Sequence, residues 1–300
     1  MAASAGQRRG WLNLGLLVVV GLLVVIVWKA ERPRPPSAHA LIPGFASASV
    51  EHIVIHRAGR PELVFARTAD GWRIAKPLQA RANDLLMDAL LAVPTAHSRH
   101  GYAAKDLELD QYGLAPPRAR IDYGHGHAID LGSVNPVNKL RYALTGGRVY
   151  LIQDALEDLP FAAATHWVSL SLLPHKANIR DLALPDLDIR ARSPSGWQVT
   201  PRPRHFEADQ VAQLLRHWTL ATAYSVTAAK QDASTPADMK QIAVTLDSGK
   251  VYRFGILSTH PDLILRRNGL DYRLPASAAR DLLSLPPAAP PAAPSATTPG

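Results

Sequence analysis

The sequence predicts an α+β protein, with an N-terminal transmembrane helix followed by two tandem repeats of antiparallel β-sheet carrying one main helix each. Three observations predict it. The stretch Trp11–Trp28 is apolar and carries no charge. Short runs of alternating apolar and polar residues, punctuated by Gly, Asn and Asp turns, fill most of the chain beyond it; that period of two is the mark of half-buried strands. The runs also recur in one order, so that GGRVYLI at 146–152 is answered by NGLDYRL at 268–274. Gly147, Tyr150 and Ile152 match Gly269, Tyr272 and Leu274.

Taken from the N-terminus, WLNLGLLVVVGLLVVIVW has Asn13 as its one strongly polar side chain. As a helix it reaches about 27 Å, close to the roughly 30 Å of bilayer hydrocarbon. Trp11 and Trp28 flank it, where amphipathic indoles anchor a span at the membrane interface. Ala38-His39-Ala40 has the small-x-small form of a signal-peptidase site, yet it lies well past the apolar core, which favours an uncleaved anchor. Basic residues stand on both sides of the span, so they do not orient it. The short tail 1–10 before a large C-terminal body fits a signal-anchor, with the tail cytoplasmic and the body periplasmic on a single-pass inner-membrane protein. Residues 29–48, with the Pro-rich ERPRPPSAHA, read as a stalk.

Bulk composition excludes several classes. There is no cysteine, so disulfides, thiolate nucleophiles and Cys-ligated metals are out. The net charge of +8 invites nucleic acid, but Arg8, Arg9, Lys29, Arg32 and Arg34 beside the single Glu31 supply half of it before residue 41. The body carries no dense basic stripe, and anionic lipid headgroups are the better partner for that N-terminal charge. No nucleic-acid partner is expected.

The first repeat, 49–174, opens with EHIVIHR and PELVFAR, then GWRIA from Gly71-Trp72. A helix comes after it, its apolar face Leu86, Ala89, Leu90 and Val93. Beyond YGLAPP come RARIDY and HAIDLG around a Gly-His-Gly turn, then KLRYALT and RVYLI across Gly146-Gly147, and QDALEDL as a closing short helix. The second repeat, 175–285, retraces this order with IRDLAL, LDIRAR and GWQVT from Gly196-Trp197. Its helix HFEADQVAQLLRHWTLA presents Val211, Leu214, Leu215 and Trp218 on one face. KQIAVTL, KVYRFGI, LILRR and LDYRL then lead to SAARDLLSL, with Asn268-Gly269 a strong two-residue hairpin signal. The Pro- and Ala-rich tail 286–300 cannot bury enough to order itself.

Chemistry is hard to find. His125 and His127 flank Gly126 at an expected hairpin tip, and His97 and His100 come after the first helix. Neither pair gathers the further ligands a metal site needs, and both read as exposed turn residues. There is no GxSxG, HExxH, Walker or GxGxxG motif. Glu157-Asp158 and the series Asp106, Glu108, Asp110 read as solvated sides of apolar segments. Tyr112-Gly113-Leu114 with Pro116-Pro117 reads as a sharp turn launching a strand. No catalytic residue, cofactor or metal ligand is assigned.

The order of these features resembles a bacterial family known as domain of unknown function 4340: the anchor, Gly71-Trp72, Tyr112-Gly113-Leu114 with Pro116-Pro117, Arg141-Tyr142, and Val149-Tyr150-Leu151-Ile152. The resemblance implies a membrane-tethered extracytoplasmic protein. For some members it implies association with ABC-type transport systems of the kind linked to gliding motility. It brings no catalytic residues. Two functions compete ahead of a cell-wall hydrolase: an accessory module docking envelope proteins, and a module binding a small molecule, glycan or lipid in the seam between repeats.

Overall fold

A computed structural model describes residues 39–99, 101–192, 196–201, 207–229 and 239–287. The expected anchor, with Trp11 and Trp28, and nearly all of the Pro/Ala tail lie outside the described residues, as does His100. No helix among the described residues is long and apolar enough to cross a membrane.

The chain enters as β1 (His39–Ala40), followed by β2 (His52–Arg57), β3 (Arg60–Thr68), β4 (Gly71–Lys76) and β5 (Ala80–Arg81). Helix α1 (Asp84–Ala92) comes next, then β6 (His97–Ser98), β7 (Gly101–Ala103), β8 (Ala119–Asp122), β9 (Ala128–Val134), β10 (Leu140–Thr145) and β11 (Arg148–Gln153). The second repeat supplies β12 (Ile179–Leu184), β13 (Leu187–Ala191), β14 (Trp197–Thr200), α2 (Ala208–Leu220) and β15 (Ser225–Ala228). It ends with β16 (Gln241–Leu246), β17 (Val251–Ser258), β18 (Leu263–Arg267), β19 (Leu270–Leu274) and α3 (Ser277–Leu283). The α+β class with antiparallel sheets is the one the sequence predicts.

Two compact units result, and their division does not follow the boundary between repeats. Among the described residues, the smaller holds 39–45, Val93–Pro117 and Ile129–Asp154; the larger holds Ala46–Ala92, Arg118–Ala128 and those of 155–287. In the smaller unit the ladder runs β9-β10-β11-β7. In the larger, one ladder runs β5-β4-β3-β2-β8, and the second repeat forms a complete sheet, β14-β13-β12-β16-β17-β18-β19-β15.

The duplication is legible in these orders. β4-β3-β2-β8 corresponds strand for strand to β14-β13-β12-β16, and β9-β10-β11-β7 to β17-β18-β19-β15. The short strand after each main helix, β7 or β15, pairs antiparallel with the last strand of its repeat. Alternation is too brief in Gly101–Ala103 and Ser225–Ala228 for sequence to announce them as strands.

Local physics explains the shared turns. Gly146 and Gly147 have φ of 55° and 70°, and Asn268 and Gly269 have φ of 50° and 72°; left-handed backbone at both central positions is what a two-residue turn between right-twisted strands requires. Thr145 pairs with Arg148 and Arg267 with Leu270 across those turns. The YGL stretch is structural as well. Gly113 caps the 3-10 turn Leu109–Tyr112 with φ of 66°, and Leu114 is buried. A Cβ on Gly132 would lie 2.3 Å from the Tyr112 carbonyl oxygen, so β9 needs glycine where this loop crosses it.

Helix α2 buries Val211, Leu214, Leu215 and Trp218 as its spacing predicts. Trp218 lies 5.8 Å from Phe254 between ring centroids and donates Nε1–H to the Leu282 carbonyl at 2.9 Å, tying α3 down. In the first repeat α1 buries Met87, Leu90 and Leu91; of the expected stripe Leu90 and Val93 are buried, whereas Leu86 and Ala89 are only partly covered. Phe65 meets Trp167 edge-on at 5.1 Å in the same core.

Two segments depart from expectation. QDALEDL is not a helix: Leu156 is buried, Glu157 turns left-handed at φ 47°, and a 3-10 turn Leu159–Phe161 containing Pro160 comes next. A proline so close denies the segment the length a helix needs to repay nucleation. Part of the stretch expected to be stalk is packed: His39–Ala40 pairs with His97–Ser98, and Leu41 and Ile42 are buried, while Pro43, Gly44 and residues 46–48 stay exposed. Two adjacent large aliphatics following the prolines supply the apolar area that docks it.

Candidate functional site

Within the larger unit, the segment after Trp167 laces the two repeats together. Asn83 N–H donates to the Trp167 carbonyl and Ser169 N–H to the Arg81 carbonyl, both at 2.8 Å. On the other side, Leu172 N–H donates to the Ala221 carbonyl at 3.1 Å and Ala223 N–H to the Leu170 carbonyl at 2.9 Å. Isolated bridges pair Ala82 with Val168 and Ser171 with Thr222. A seam held by main-chain bonds to both sides is a rigid place on which to mount side chains.

Arg73, Arg81, Arg267, Tyr252 and Tyr272 line a recess in this seam, together with Ser169 and Ser171, around a free volume of about 30 Å³. A wider recess of about 390 Å³ shares Arg81, Ser169, Ser171 and Pro174 with it and adds Leu170, Leu173 and Thr219. The first repeat contributes Arg73 from β4 and Arg81 from β5. The second contributes Tyr252 from β17, Arg267 from the end of β18 and Tyr272 from β19.

Strand alternation explains the arrangement. Trp72 and Ile74 point into the core, which leaves Arg73 on the opposite face of β4. In β18, Arg267 shares the face of Leu263 and Leu265, both buried, so its guanidinium starts from the apolar side of the sheet. It is caught on aromatic faces, 4.2 Å from the Tyr252 ring centroid and 5.6 Å from that of Phe254. Arg81 donates Nη2–H to Ser169 Oγ, and that hydroxyl belongs to a residue only 7% exposed.

The electrostatics are lopsided. Lys250 and Asp70 form an ion pair at the rim; the Lys250 hydrogen bond lowers the Asp70 carboxyl and the same bond raises the Lys250 ammonium. Burial lowers the Arg267 guanidinium, and the charges of Arg73 and Arg81 push the same way. Burial also raises the Tyr272 phenol, partly opposed by Arg267, Arg81 and Arg73, so it keeps its proton at neutral pH. Asp84 approaches Arg81 no closer than 3.9 Å and is largely in solvent. Arg73 and Arg267 make no ion pair among the described residues.

The residues singled out in the sequence fare unevenly. Among the repeat markers, Gly71, Gly147, Gly196 and Gly269 all take positive φ, between 70° and 109°. Trp72 and Tyr272 are buried, whereas Trp197 and Tyr150 are half-buried. Only Tyr272 of the markers lines the recess. His125 and His127 are exposed at their hairpin tip; His97 is exposed too, but on β6 and not in a turn. No cluster of three metal-ligating side chains exists among the described residues. Sequence reasoning missed the arginines. The signal was there in Arg266-Arg267, consecutive in a strand, because alternation must send one of the pair to the apolar face.

A family model described as Domain of unknown function (DUF4340) matches residues 72–241, from the first strand tryptophan into β16. No curated protein and no solved structure matches the chain. With the match running through both repeats and over more than half of its length, the chain belongs to the DUF4340 family.

Proposed function

We propose that the chain is a non-enzymatic binding module, tethered to the inner membrane with its body in the periplasm, that receives a ligand in the seam between its repeats. In this reading it serves as an accessory to an envelope complex, and an ABC-type transport system is the partner in view. The observation that carries the binding function is the seam recess, whose walls come from both repeats and converge three guanidiniums and two tyrosines on one space. Convergent polar groups in a recess with aromatic walls are what ligand recognition requires. The uncharged span Trp11–Trp28 supports the tether.

Native mass spectrometry of the full-length chain, released from membranes in a mild uncharged detergent, tests the binding function. The wild type is expected to retain a small molecule, and Ser171→Trp, which fills the space shared by both recesses, is expected to lose it. A bare wild-type chain, or an adduct that survives Ser171→Trp, overturns the reading.

A further inference from the structure

The charge in the seam is incompletely answered by the protein itself. Four cationic side chains, Arg73, Arg81, Lys250 and Arg267, line the recess against one carboxylate, Asp70. Asp70 is engaged by Lys250 at the rim, although it also feels the charge of Arg73. Stacking on Tyr252 offsets only part of the cost of half-burying Arg267, because a cation–π contact is weaker than the hydration an ion gives up on leaving water. A guanidinium does not escape by deprotonating. Three mutually repelling guanidiniums around one small space are stabilised when an anion sits among them.

We propose that the recess is an oxyanion site whose ligand is a phosphate ester, with the phosphate among Arg73, Arg81 and Arg267 and its organic substituent in the wider recess. The proposal rests on the binding function above and gives it a chemistry. Guanidiniums approaching from β4, β5 and β18 suit a group with several equivalent charged oxygens better than a planar carboxylate, which one bidentate arginine satisfies. The arginine-lined space of about 30 Å³ is too small for a nucleotide or sugar, so only a compact charged head group can reach toward it while the rest of the ligand lies outside. The adjoining 390 Å³ recess has Leu170, Leu173 and Pro174 in its wall and Leu220, 70% exposed, along it, a lining suited to a short, partly apolar substituent. Tyr272, which keeps its proton, and the Ser169 and Ser171 hydroxyls are available as neutral donors.

The test is calorimetric titration of the full-length chain in uncharged detergent, at constant ionic strength set with chloride. The probes are inorganic phosphate, glycerol 3-phosphate and a short-chain phosphatidic acid held below its micelle concentration. Saturable binding of glycerol 3-phosphate is expected, weakened at least tenfold in both Arg73→Gln and Arg267→Gln. Arg73 lies half-exposed on a strand face away from the core, so its variant keeps the test alive if Arg267→Gln does not fold. Tenfold tighter binding of the phosphatidic acid than of glycerol 3-phosphate identifies a lipid headgroup as the source, and equal affinity identifies a soluble ester; either sustains the site. Absence of saturable binding by all three probes, or undiminished affinity in Arg73→Gln, overturns it. A phosphorus-free adduct in the native mass spectrum overturns the phosphate assignment while leaving the binding function intact.

Discussion

Arg141 shows how little a single residue reveals before its neighbours are known. In the sequence it is one half of an Arg-Tyr pair in a strand. In the smaller unit it is 2% exposed, its Nε and Nη2 donate to the two carboxylate oxygens of Asp154 at 2.8 and 2.6 Å, and its Nη1 donates to the Gly132 carbonyl at 2.8 Å. Truncating it leaves the Asp154 carboxylate, itself mostly buried, without its counter-charge. Arg141→Ala is therefore expected to lower stability by about 3–5 kcal/mol in urea denaturation, and a loss under 1 kcal/mol would contradict the burial argument. Arg73, Arg81 and Arg267 pose the same difficulty in a sharper form. Arg73 and Arg81 stand opposite each other in neighbouring strands, but Arg267 comes from the other repeat, and only tertiary structure assembles the three. Glycines were easier, because a two-residue hairpin constrains φ so tightly that Asn268-Gly269 could be read without knowing its partners.

At the scale of elements, strands and their hairpins were legible because alternation and turn chemistry are local. QDALEDL misled because its apolar spacing suits a helix over too few residues to form one. The start of α2 lies between. Glu207 caps the helix, its side chain accepting from the Gln210 backbone while its own N–H donates to Gln210 Oε1 at 3.0 Å. A Glu-x-x-Gln capping box is easily passed over in a stretch read simply as amphipathic. Glu207→Ala is expected to cost about 0.5 kcal/mol, seen as a slightly lower midpoint in thermal unfolding, because it removes the side-chain half of the capping box while the Gln210 N–H keeps the main-chain carbonyl of residue 207 as acceptor at 3.1 Å. Gln210→Ala should cost at least as much, since the Gln210 side chain both accepts from the Glu207 N–H and donates to the Pro286 carbonyl at 2.6 Å, and both bonds go with it.

For the whole molecule, the tandem repeat was readable and the division into compact units was not. Order along the chain is a one-dimensional property, while compactness depends on which sheet faces share a core, and the larger unit draws β2 to β5, α1 and β8 together with the whole second repeat. A chain ended at residue 174 should thus fail to unfold cooperatively, even though it contains the entire first repeat. Circular dichroism melts test this, and a sharp two-state transition for that fragment would refute it. The matching strand orders carry a kinetic consequence. During synthesis β12 emerges while β2 and β8 are already built, and its proper neighbour β16 is still some 60 residues away. A polypeptide that writes one ladder twice supplies its own decoy, so the divergence between the two copies acts as proofreading against strand exchange.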